Sequence, residues 1–236
     1  MAVQVLAPRG FDIVAYDYSP VPLSHEGAFI LPTILAMKNV PDDMEKLWCH
    51  QGYYGRDPVM EAARHVSQPF FWTHRGRRQS DIMRKTLAER HVVVVDYLRD
   101  TRMHSGITVP IRMAGGGLAT FTAMRLDGDD ADLDRQLSAV GYLGHVLHDA
   151  IMAGMSPDDL RTTHVRLTPR ERQCLSLCAS GMTAKEIAHE LRRSVPTVTL
   201  HLSSVTRKLG ARNRFHAVAL AGYYRLLDSP EAQPNL

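Results

Sequence analysis

The sequence predicts an α+β fold in two parts: an antiparallel sheet of about five strands flanked by helices, followed by an all-α domain of four helices. Three observations carry this prediction. Residues 106–112 and 118–124 are rich in apolar and β-branched side chains and flank a glycine-rich turn. Residues 132–155 repeat apolar side chains at helical spacing. Beyond residue 166, two Thr-x-x-Glu patterns mark the beginnings of short helices.

The first 155 residues are predicted to alternate between strands and helices. Residues 81–103 contain no glycine or proline, so a helix is predicted there, although residues 92–95 locally favour a strand. The glycines at 115–117 predict a hairpin turn, because glycine readily adopts positive φ values. A sheet with helices on its faces, an α-β-α sandwich, can enclose a small apolar pocket. The predicted strands are 9–19, 28–31, 69–73, 106–112 and 118–124, and the predicted helices are 41–52, 57–65, 81–103 and 132–155.

Residues 167–228 are predicted to form four short helices. Thr168 and Thr183 each precede a glutamate by three positions, which is the pattern of a capping box, and Gly181 ends the first helix. Ser194 is placed to cap the third helix, whose apolar side chains recur at helical spacing. A short helix, a tight turn and a helix with a polar outer face predict a helix-turn-helix, whose second helix enters the major groove of DNA.

The distribution of charge agrees with two domains of different function. Basic residues outnumber acidic ones after residue 160, whereas acidic residues outnumber basic ones before it. The second domain is therefore the part expected to meet the phosphates of double-stranded DNA. We predict domains at 1–155 and 167–228, joined by a linker at 156–166.

Composition excludes several other classes of protein. The chain has 236 residues, of which 44% are hydrophobic and 22% charged, as in ordinary globular proteins. No apolar run reaches the length of a transmembrane helix, and the N-terminus lacks the apolar core of a signal peptide. With a DNA-binding domain, this predicts a cytoplasmic protein without membrane association. The three cysteines form no disulfide framework, and no metal site or cofactor is predicted.

The C-terminal pattern matches a known family. It reads T-x-x-E-x-x-x-L-x-x-x-x-x-G-x-[ST]-x-x-E-I-A, then S-x-x-T-V-x-x-H and R-K-L. This resembles the DNA-binding domain of the LuxR-type regulators over about 60 residues. Glu171, Leu175 and Gly181 fall where that family keeps Glu, Leu and Gly.

The third helix of this domain supplies the candidate DNA contacts. Side chains that point away from its buried stripe are expected to reach base edges, and flanking basic residues are expected to reach phosphates. The family often has Lys or Arg at the positions of Thr199 and Ser203, so fewer bidentate guanine contacts and more reliance on DNA shape are expected. The base-edge candidates are Thr197, Thr199, Leu200, His201, Ser203 and Ser204, and the phosphate candidates are Arg192, Arg193, Arg207, Lys208, Arg212 and Arg214.

A second resemblance lies in the N-terminal domain. Asp57-Pro58, Trp72 and the segment 105–111 resemble the autoinducer-binding domain of LuxR-type quorum-sensing regulators, most closely the TraR type. The resemblance implies that Asp57 accepts a hydrogen bond from the amide N–H of an acyl-homoserine lactone. It also implies that Trp72 packs on the lactone ring. Each residue has a structural alternative, since Asp57 is placed to cap a helix and a Trp in a core is common.

Two more residues follow from the same resemblance. Thr122 matches a Thr that can reach the acyl chain's 3-oxo group through water, and Gly106 matches a Gly that lets the backbone turn tightly near the pocket. The structural alternative for Thr122 is a strand residue whose hydroxyl is satisfied by a neighbour. The expected effector is a small-molecule autoinducer.

The sequence departs from the family pattern at two places. The Trp and Tyr that donate hydrogen bonds to the ligand carbonyls in the family fall at Met44 and Trp48. Met44 cannot donate, and Trp48 has one indole N–H that could replace the Tyr hydroxyl. We therefore expect weak or altered affinity for acyl-homoserine lactones, or a different small amphiphile. The family also has one or two helices before its first strand, whereas about ten residues precede Phe11. Either the chain begins earlier or a partner subunit covers the sheet.

A homodimer on a two-fold DNA site is expected, because one helix-turn-helix domain buries little surface. The helices at 132–155 and 213–226 carry apolar stripes that could form the dimer contacts or could pack inside their own domains.

Three other functions are possible for such a chain. A response regulator would need a doubly wound receiver domain, whereas the first 150 residues predict an antiparallel hairpin. An enzyme would need a phosphate loop, a nucleophile elbow or paired catalytic carboxylates, and the sequence shows none of these. A regulator whose N-terminal domain binds no acyl-homoserine lactone, and acts through another ligand or a protein partner, is the third.

Overall fold

A computed structural model of the chain describes residues 2–74, 80–126, 130, 132–156, 160, 162 and 164–227. The chain divides into two compact units, Met1–Leu160 and Arg161–Leu236. The predicted linker at 156–166 and the predicted end of the second domain at 228 lie partly outside the described residues, so these boundaries stay predictions.

The first unit is built around a five-stranded antiparallel sheet, as predicted. The strand order is β2-β1-β5-β4-β3, and every neighbouring pair is antiparallel. The glycine-rich turn joins β4 to β5, and Gly115 has a φ of 79° there. The strands are β1 (Ile13–Ser19), β2 (Ile34–Lys38), β3 (Phe70–Thr73), β4 (Ser105–Arg112) and β5 (Leu118–Arg125).

The strand predicted at 28–31 is wrong. Phe29 makes an isolated bridge with Leu23, and the second strand comes later, at β2. β2 is an edge strand whose side chains are half-buried or exposed, so it lacks a strong alternation of apolar and polar residues. Its position depends on pairing with β1, which local composition does not encode.

Six α-helices are found in the described part of the first unit. The helix predicted at 81–103 is divided into two, with a turn of 3-10 helix between them. The ring Nδ1 of His91 accepts the backbone N–H of Ala88 at 3.0 Å, which satisfies a donor that a continuous helix would use. The helices are α1 (Ala2–Leu6), α2 (Met44–His50), α3 (Pro58–Ala63), α4 (Asp81–Thr86), α5 (Val92–Asp100) and α6 (Leu133–Ala153).

Helices cover both faces of the sheet. One face packs against α1 and α6, and the other packs against α2 to α5. Gly144 of α6 lies so close to the sheet that a Cβ there would stand 3.1 Å from the ring of Phe121 and 3.2 Å from Val109. The apolar stripe of α6 therefore packs inside its own domain, and this face of the sheet is covered by the chain itself.

The second unit contains the predicted four helices, α7 (Pro169–Ala179), α8 (Ala184–Glu190), α9 (Val195–Lys208) and α10 (Arg214–Tyr223). Both capping boxes form as predicted, one at the start of α7 and one at the start of α8. The side chains of Ser194 and Asn213 cap α9 and α10. Gly181 has a φ of 94°, the left-handed conformation that ends α7.

Candidate functional site

A cavity of about 40 Å³ lies between the sheet and helices α2, α3 and α5. This central cavity brings together five of the six predicted ligand-site residues, and the sixth, Gly106, lies on β4 directly behind Trp72. The predicted lining residues are Met44, Trp48, Asp57, Trp72 and Thr122, and the further ones are Ala15, Asp17, Leu35, Met37, Tyr54, Val59, Met60, Leu98 and Met124.

The sheet positions the floor of the cavity through its register. Alternate residues of a strand face the same side, so Ala15 and Asp17 of β1 both face the cavity. Ala15 is paired with Thr122 across β1 and β5, and Asp17 is paired with Thr120. These two pairs are separated by two residues along the strands, which is about 7 Å.

Asp57 both caps helix α3 and borders the cavity. Its Oδ1 accepts the backbone N–H of Val59 at 2.8 Å and caps α3, as the sequence predicted. Its Oδ2 accepts the indole N–H of Trp48 at 3.2 Å. The residue is 7% exposed, and burial raises the pKa of its carboxyl to about 6. An ionised carboxylate offers about four acceptor sites, so Asp57 retains capacity for a ligand N–H.

Trp72 and Thr122 belong to one hydrogen-bonded chain. The indole N–H of Trp72 donates to the Thr108 hydroxyl at 3.0 Å, and that hydroxyl lies 3.0 Å from the hydroxyl of Thr122. Thr122 is therefore satisfied by a neighbour, and it also borders the cavity. A Cβ on Gly106 would stand 2.5 Å from the Ala123 carbonyl oxygen and 2.9 Å from Trp72, so Gly106 is required by close packing.

The Trp48 indole N–H has a partner within the protein. The sequence leaves open that this N–H could replace the Tyr hydroxyl that donates to a ligand carbonyl; in the structure it donates to Asp57 at 3.2 Å. Met44 is buried at 3% exposure and faces the cavity with a thioether, which is a poor partner for a carbonyl. The two family positions for carbonyl donors therefore offer no uncommitted side-chain N–H or O–H.

Sequence reasoning missed a second buried carboxylate, Asp17. It is 4% exposed, accepts the Tyr54 hydroxyl at 2.9 Å, and also accepts the Thr120 hydroxyl. Burial raises the pKa of Asp17 to about 6. The only local signal is an acid in an apolar strand, Tyr16-Asp17-Tyr18, because Tyr54 and Thr120 reach it through the fold.

The helix-turn-helix is held together by a buried acid. Glu171 accepts from the Thr168 backbone N–H at 2.7 Å, the Ser204 hydroxyl at 2.7 Å and the Lys208 ammonium at 2.6 Å. These contacts lower the pKa of Glu171 to about 2 against the opposing effect of burial. Lys208 and Ser204 were predicted as DNA contacts, but here both tie α9 to α7.

Before its last turn, the outer face of α9 is uncharged and partly apolar. Thr199, Leu200 and Ser203 are exposed, and Leu200 is 69% exposed. Thr197 and His201 are half-buried. Three of the predicted base-edge residues are thus accessible from solvent. The predicted phosphate contacts are all exposed: Arg192, Arg193, Arg207, Arg212 and Arg214.

The turn between α8 and α9 places one of these arginines in an unusual conformation. Arg192 has a φ of 50°, in the left-handed region that favours glycine. The Arg193 N–H donates to the Ala188 carbonyl at 2.9 Å, which closes the end of α8. The left-handed residue thus turns the chain directly into α9.

Among the described residues, no three His, Cys, Asp or Glu side chains come together in a way that could hold a metal ion. Within the same residues, none of the helices combines the length and the apolar character that a membrane span requires.

Two family models match the chain in order. Residues 2–151 match the model of the autoinducer binding domain. Residues 165–221 match the model of bacterial regulatory proteins of the luxR family. The first match covers the unit with the central cavity, and the second covers the helix-turn-helix.

Individual relatives agree over most of the chain. The transcriptional activator protein BjaR1 of Bradyrhizobium diazoefficiens is 31% identical over 93% of this chain and 84% of its own. The transcriptional activator protein TraR of Agrobacterium vitis is 28% identical over 89% of this chain and 84% of its own. The crystal structure of Escherichia coli SdiA shares the fold, with a TM-score of 0.57, 18% identity, and coverage of 97% of this chain and 90% of that one.

Proposed function

Because this chain belongs to the LuxR family of transcriptional regulators, with an autoinducer-binding domain followed by a LuxR-type helix-turn-helix, we propose that it is a ligand-responsive regulator of the quorum-sensing type. In this proposal a small molecule binds in the central cavity, and the helix-turn-helix binds promoter DNA. The relatives are named as regulators, and the chain is not an enzyme. We place it in the cytoplasm, where the DNA is.

The observation that carries the proposal is the position of Asp57. Its buried carboxylate borders a cavity with otherwise mainly apolar walls, between Trp48 and Trp72. A buried amide N–H without a partner costs about 1–3 kcal/mol, so an amide ligand needs an acceptor of this kind. The ligand is an acyl-homoserine lactone or a related small amphiphile whose N–H meets Asp57.

The cavity is smaller than a typical ligand site, but its walls contain flexible side chains that could let it expand. A typical small-molecule site encloses about 300–1,000 Å³, whereas this cavity measures about 40 Å³. Methionine side chains are flexible and fill irregular spaces, so they can move apart around a ligand. The lining methionines are Met37, Met44, Met60 and Met124. Binding to the folded state would then stabilise the regulator by mass action.

A second candidate is a regulator of the same family that does not respond to acyl-homoserine lactones. It is favoured by the loss of carbonyl donors at Met44 and Trp48, since the Trp48 N–H is engaged with Asp57. Such a protein would sense a different ligand or act through a protein partner.

On DNA, we propose a homodimer on a two-fold site. The exposed face of α9 would contact bases, and Arg193, Arg207 and Arg212 would contact phosphates. The dimer contacts would use the apolar side chains that α6 and α10 leave exposed after packing inside their own units. On α6 these are Tyr142 and Val146, and on α10 they are Phe215 and Tyr223.

Selection of randomised duplex DNA by the full-length protein tests this function. The selection is run without ligand and with a chain-length series of acyl-homoserine lactones. Enrichment of a site with two-fold symmetry is expected, and enrichment that requires one of the lactones favours the first candidate. Equal enrichment in every condition favours the second. A chain that selects no sequence in any condition would contradict both a response to these lactones and a regulator that needs no ligand.

The lactone series also tests the expected altered specificity. The missing carbonyl donors predict weak binding of the common acyl-homoserine lactones by the purified protein. Nanomolar affinity for any of them, measured by isothermal titration, would show that Met44 and Trp48 do not impair lactone recognition.

A further inference from the structure

We propose that the central cavity recognises a ligand with two hydrogen-bond-donating groups on an apolar body: an N–H that meets Asp57, and a terminal hydroxyl or ammonium that meets Asp17. This inference rests on the proposed function, because it assigns the chemical class of the ligand in the same cavity. It adds a second recognition group, Asp17, in a wall where a plain acyl chain would need only apolar side chains.

The first argument is the balance of donors and acceptors in the cavity wall. Among the described residues that line it, the two indoles and the Tyr54 phenol direct their hydrogens to protein acceptors. Asp17 and Asp57 are carboxylates that each accept from the protein at both oxygens and retain further acceptor sites. The wall therefore offers acceptors and few side-chain donors, so a complementary ligand brings donors.

The second argument is the way that Asp17 is held. The Tyr54 hydroxyl at 2.9 Å and the Thr120 hydroxyl fix one carboxylate orientation beside the cavity. A carboxylate buried next to apolar groups is unfavourable unless it is hydrogen-bonded. The two hydroxyls use one acceptor site on each oxygen of Asp17, and a ligand donor can use the sites that remain. A purely alkyl ligand end would place apolar atoms against those sites.

The third argument is the separation of the polar positions. Asp17 and Thr120 form one cross-strand pair, and Ala15 and Thr122 form another, two residues away along β1. That offset is about 7 Å, so Asp17 marks a place on the floor distinct from Thr122. Asp17 and Asp57 nevertheless border the same cavity. One small molecule can therefore reach both.

Electrostatics also favour a ligand donor beside Asp17. Burial raises the pKa of this carboxyl to about 6, and an ammonium or hydroxyl placed against it stabilises the ionised form. Hydrogen bonds to charged groups are the stronger kind, so the expected gain in affinity is about tenfold or more over an apolar end of equal size.

The test is a binding series on the full-length protein with matched probes. The probes are N-acyl-homoserine lactones of several chain lengths, each compared with isosteres in which the terminal methyl is replaced by hydroxyl or by ammonium. The chain has two tryptophans, Trp48 and Trp72, and both line the cavity, so intrinsic fluorescence reports binding there. At the best chain length, a hydroxyl or ammonium isostere is expected to bind at least about tenfold more tightly than the alkyl probe.

Two variants separate recognition from folding. Asp17→Asn should remove most of the preference for the ammonium isostere, because the charge is lost. Tyr54→Phe removes one partner of Asp17 but keeps its carboxylate, so the preference should persist. Loss of the preference in both variants, with reduced stability, would assign Asp17 to folding and overturn the proposal.

The outcomes distinguish this inference from the function on which it rests. Alkyl probes that bind as tightly as their isosteres to the wild-type protein overturn the role of Asp17 and leave the receptor function standing. Fluorescence that responds to none of the probes, at any chain length, overturns both this inference and the first candidate function, and it leaves the second candidate.

Discussion

The indole nitrogen of Trp48 lies 3.2 Å from Oδ2 of Asp57, so the carboxylate that faces the cavity is oriented by its own chain. In the family pattern this Trp stands where a residue would donate to a ligand carbonyl. Here the Trp48 N–H donates to Asp57, the proposed acceptor for a ligand N–H. The cavity thereby has one donor fewer for a ligand carbonyl and keeps an oriented acceptor, which is why we expect a change of ligand rather than a loss of binding.

The fluorescence of Trp48 should report the ionisation of Asp57. In a Trp72→Phe variant, which leaves one tryptophan, we expect a titration with a midpoint near pH 6, because burial raises the pKa of Asp57 to about 6. An ordinary Asp titrates at about 3.9. The step should vanish when Asp57→Asn is added, which excludes a response to nearby His91. A midpoint near pH 4 would mean that Asp57 is solvated.

The stability of the first unit should depend on pH through Asp17. Its pKa in the folded state, about 6, lies above its ordinary value. The folded state therefore holds a proton that the unfolded state releases between about pH 4 and 6, so this contribution is present at low pH and is lost as pH rises. Relative to Asp17→Asn, the wild-type free energy of unfolding should fall by about 1–3 kcal/mol between pH 4 and 7.

Urea unfolding followed by tryptophan fluorescence measures this difference. His74 acts in the opposite direction, because burial lowers its pKa to about 4, and its contribution is lost as pH falls from 6.5. The contribution of His74 is present in both proteins and cancels in the comparison. Because the charge of Asp57 acts on Asp17, the comparison is made in an Asp57→Asn background. If, in that background, the difference in the free energy of unfolding caused by Asp17→Asn does not vary with pH, Asp17 is not a buried carboxyl with a raised pKa.

Gly106→Ala should disturb the cavity wall. The added Cβ would meet the Ala123 carbonyl and the Trp72 ring at distances that real side chains do not show. We expect a loss of about 1–3 kcal/mol in the free energy of unfolding and a shift in the emission of Trp72. Gly154→Ala is the matched control, because its Cβ would make ordinary contacts at 3.6 Å. Equal stability of the two variants would argue against close packing at Gly106.

Lys208 and Arg193 should have different roles on DNA. Lys208→Ala removes the cation beside Glu171 and should lower the melting temperature, by an amount equivalent to about 1 kcal/mol since the lysine is partly exposed. Arg193→Ala should leave the melting temperature unchanged and weaken binding to all duplexes about equally. It should also reduce, by about 1, the slope of the logarithm of the binding constant against the logarithm of the salt concentration.

Circular dichroism and fluorescence anisotropy at several salt concentrations separate these two effects. If Lys208→Ala reduces the salt slope as much as Arg193→Ala does, the lysine contacts phosphate despite its bond to Glu171. A loss with Arg193→Ala that is confined to one operator would assign that arginine to base recognition.

Local chemistry in the sequence predicts the second unit well. Thr168, Thr183 and Ser194 cap helices in the structure because capping depends on residues three positions apart. The same holds for Gly181, whose left-handed conformation ends α7. Asp57 was predicted both as a cap and as a cavity residue, and the structure gives it both positions.

The rest could not be predicted because it depends on contacts between distant residues. β2 is defined by its register with β1. At the break before α5, the His91 ring contacts Glu61, which is 30 residues away in the sequence. Asp17 meets Tyr54 and Thr120 across 37 and 103 residues of sequence. The engagement of Trp48 with Asp57 is likewise a matter of side-chain orientation, which residue spacing along the chain does not encode.

The most direct test of the central claim is a crystal structure of the full-length protein grown with its tightest-binding probe. The account predicts that the probe lies between the sheet and helices α2 and α3, with its N–H within hydrogen-bonding distance of Asp57. A probe bound elsewhere, or an Asp57 carboxylate turned toward bulk solvent, would contradict the claim.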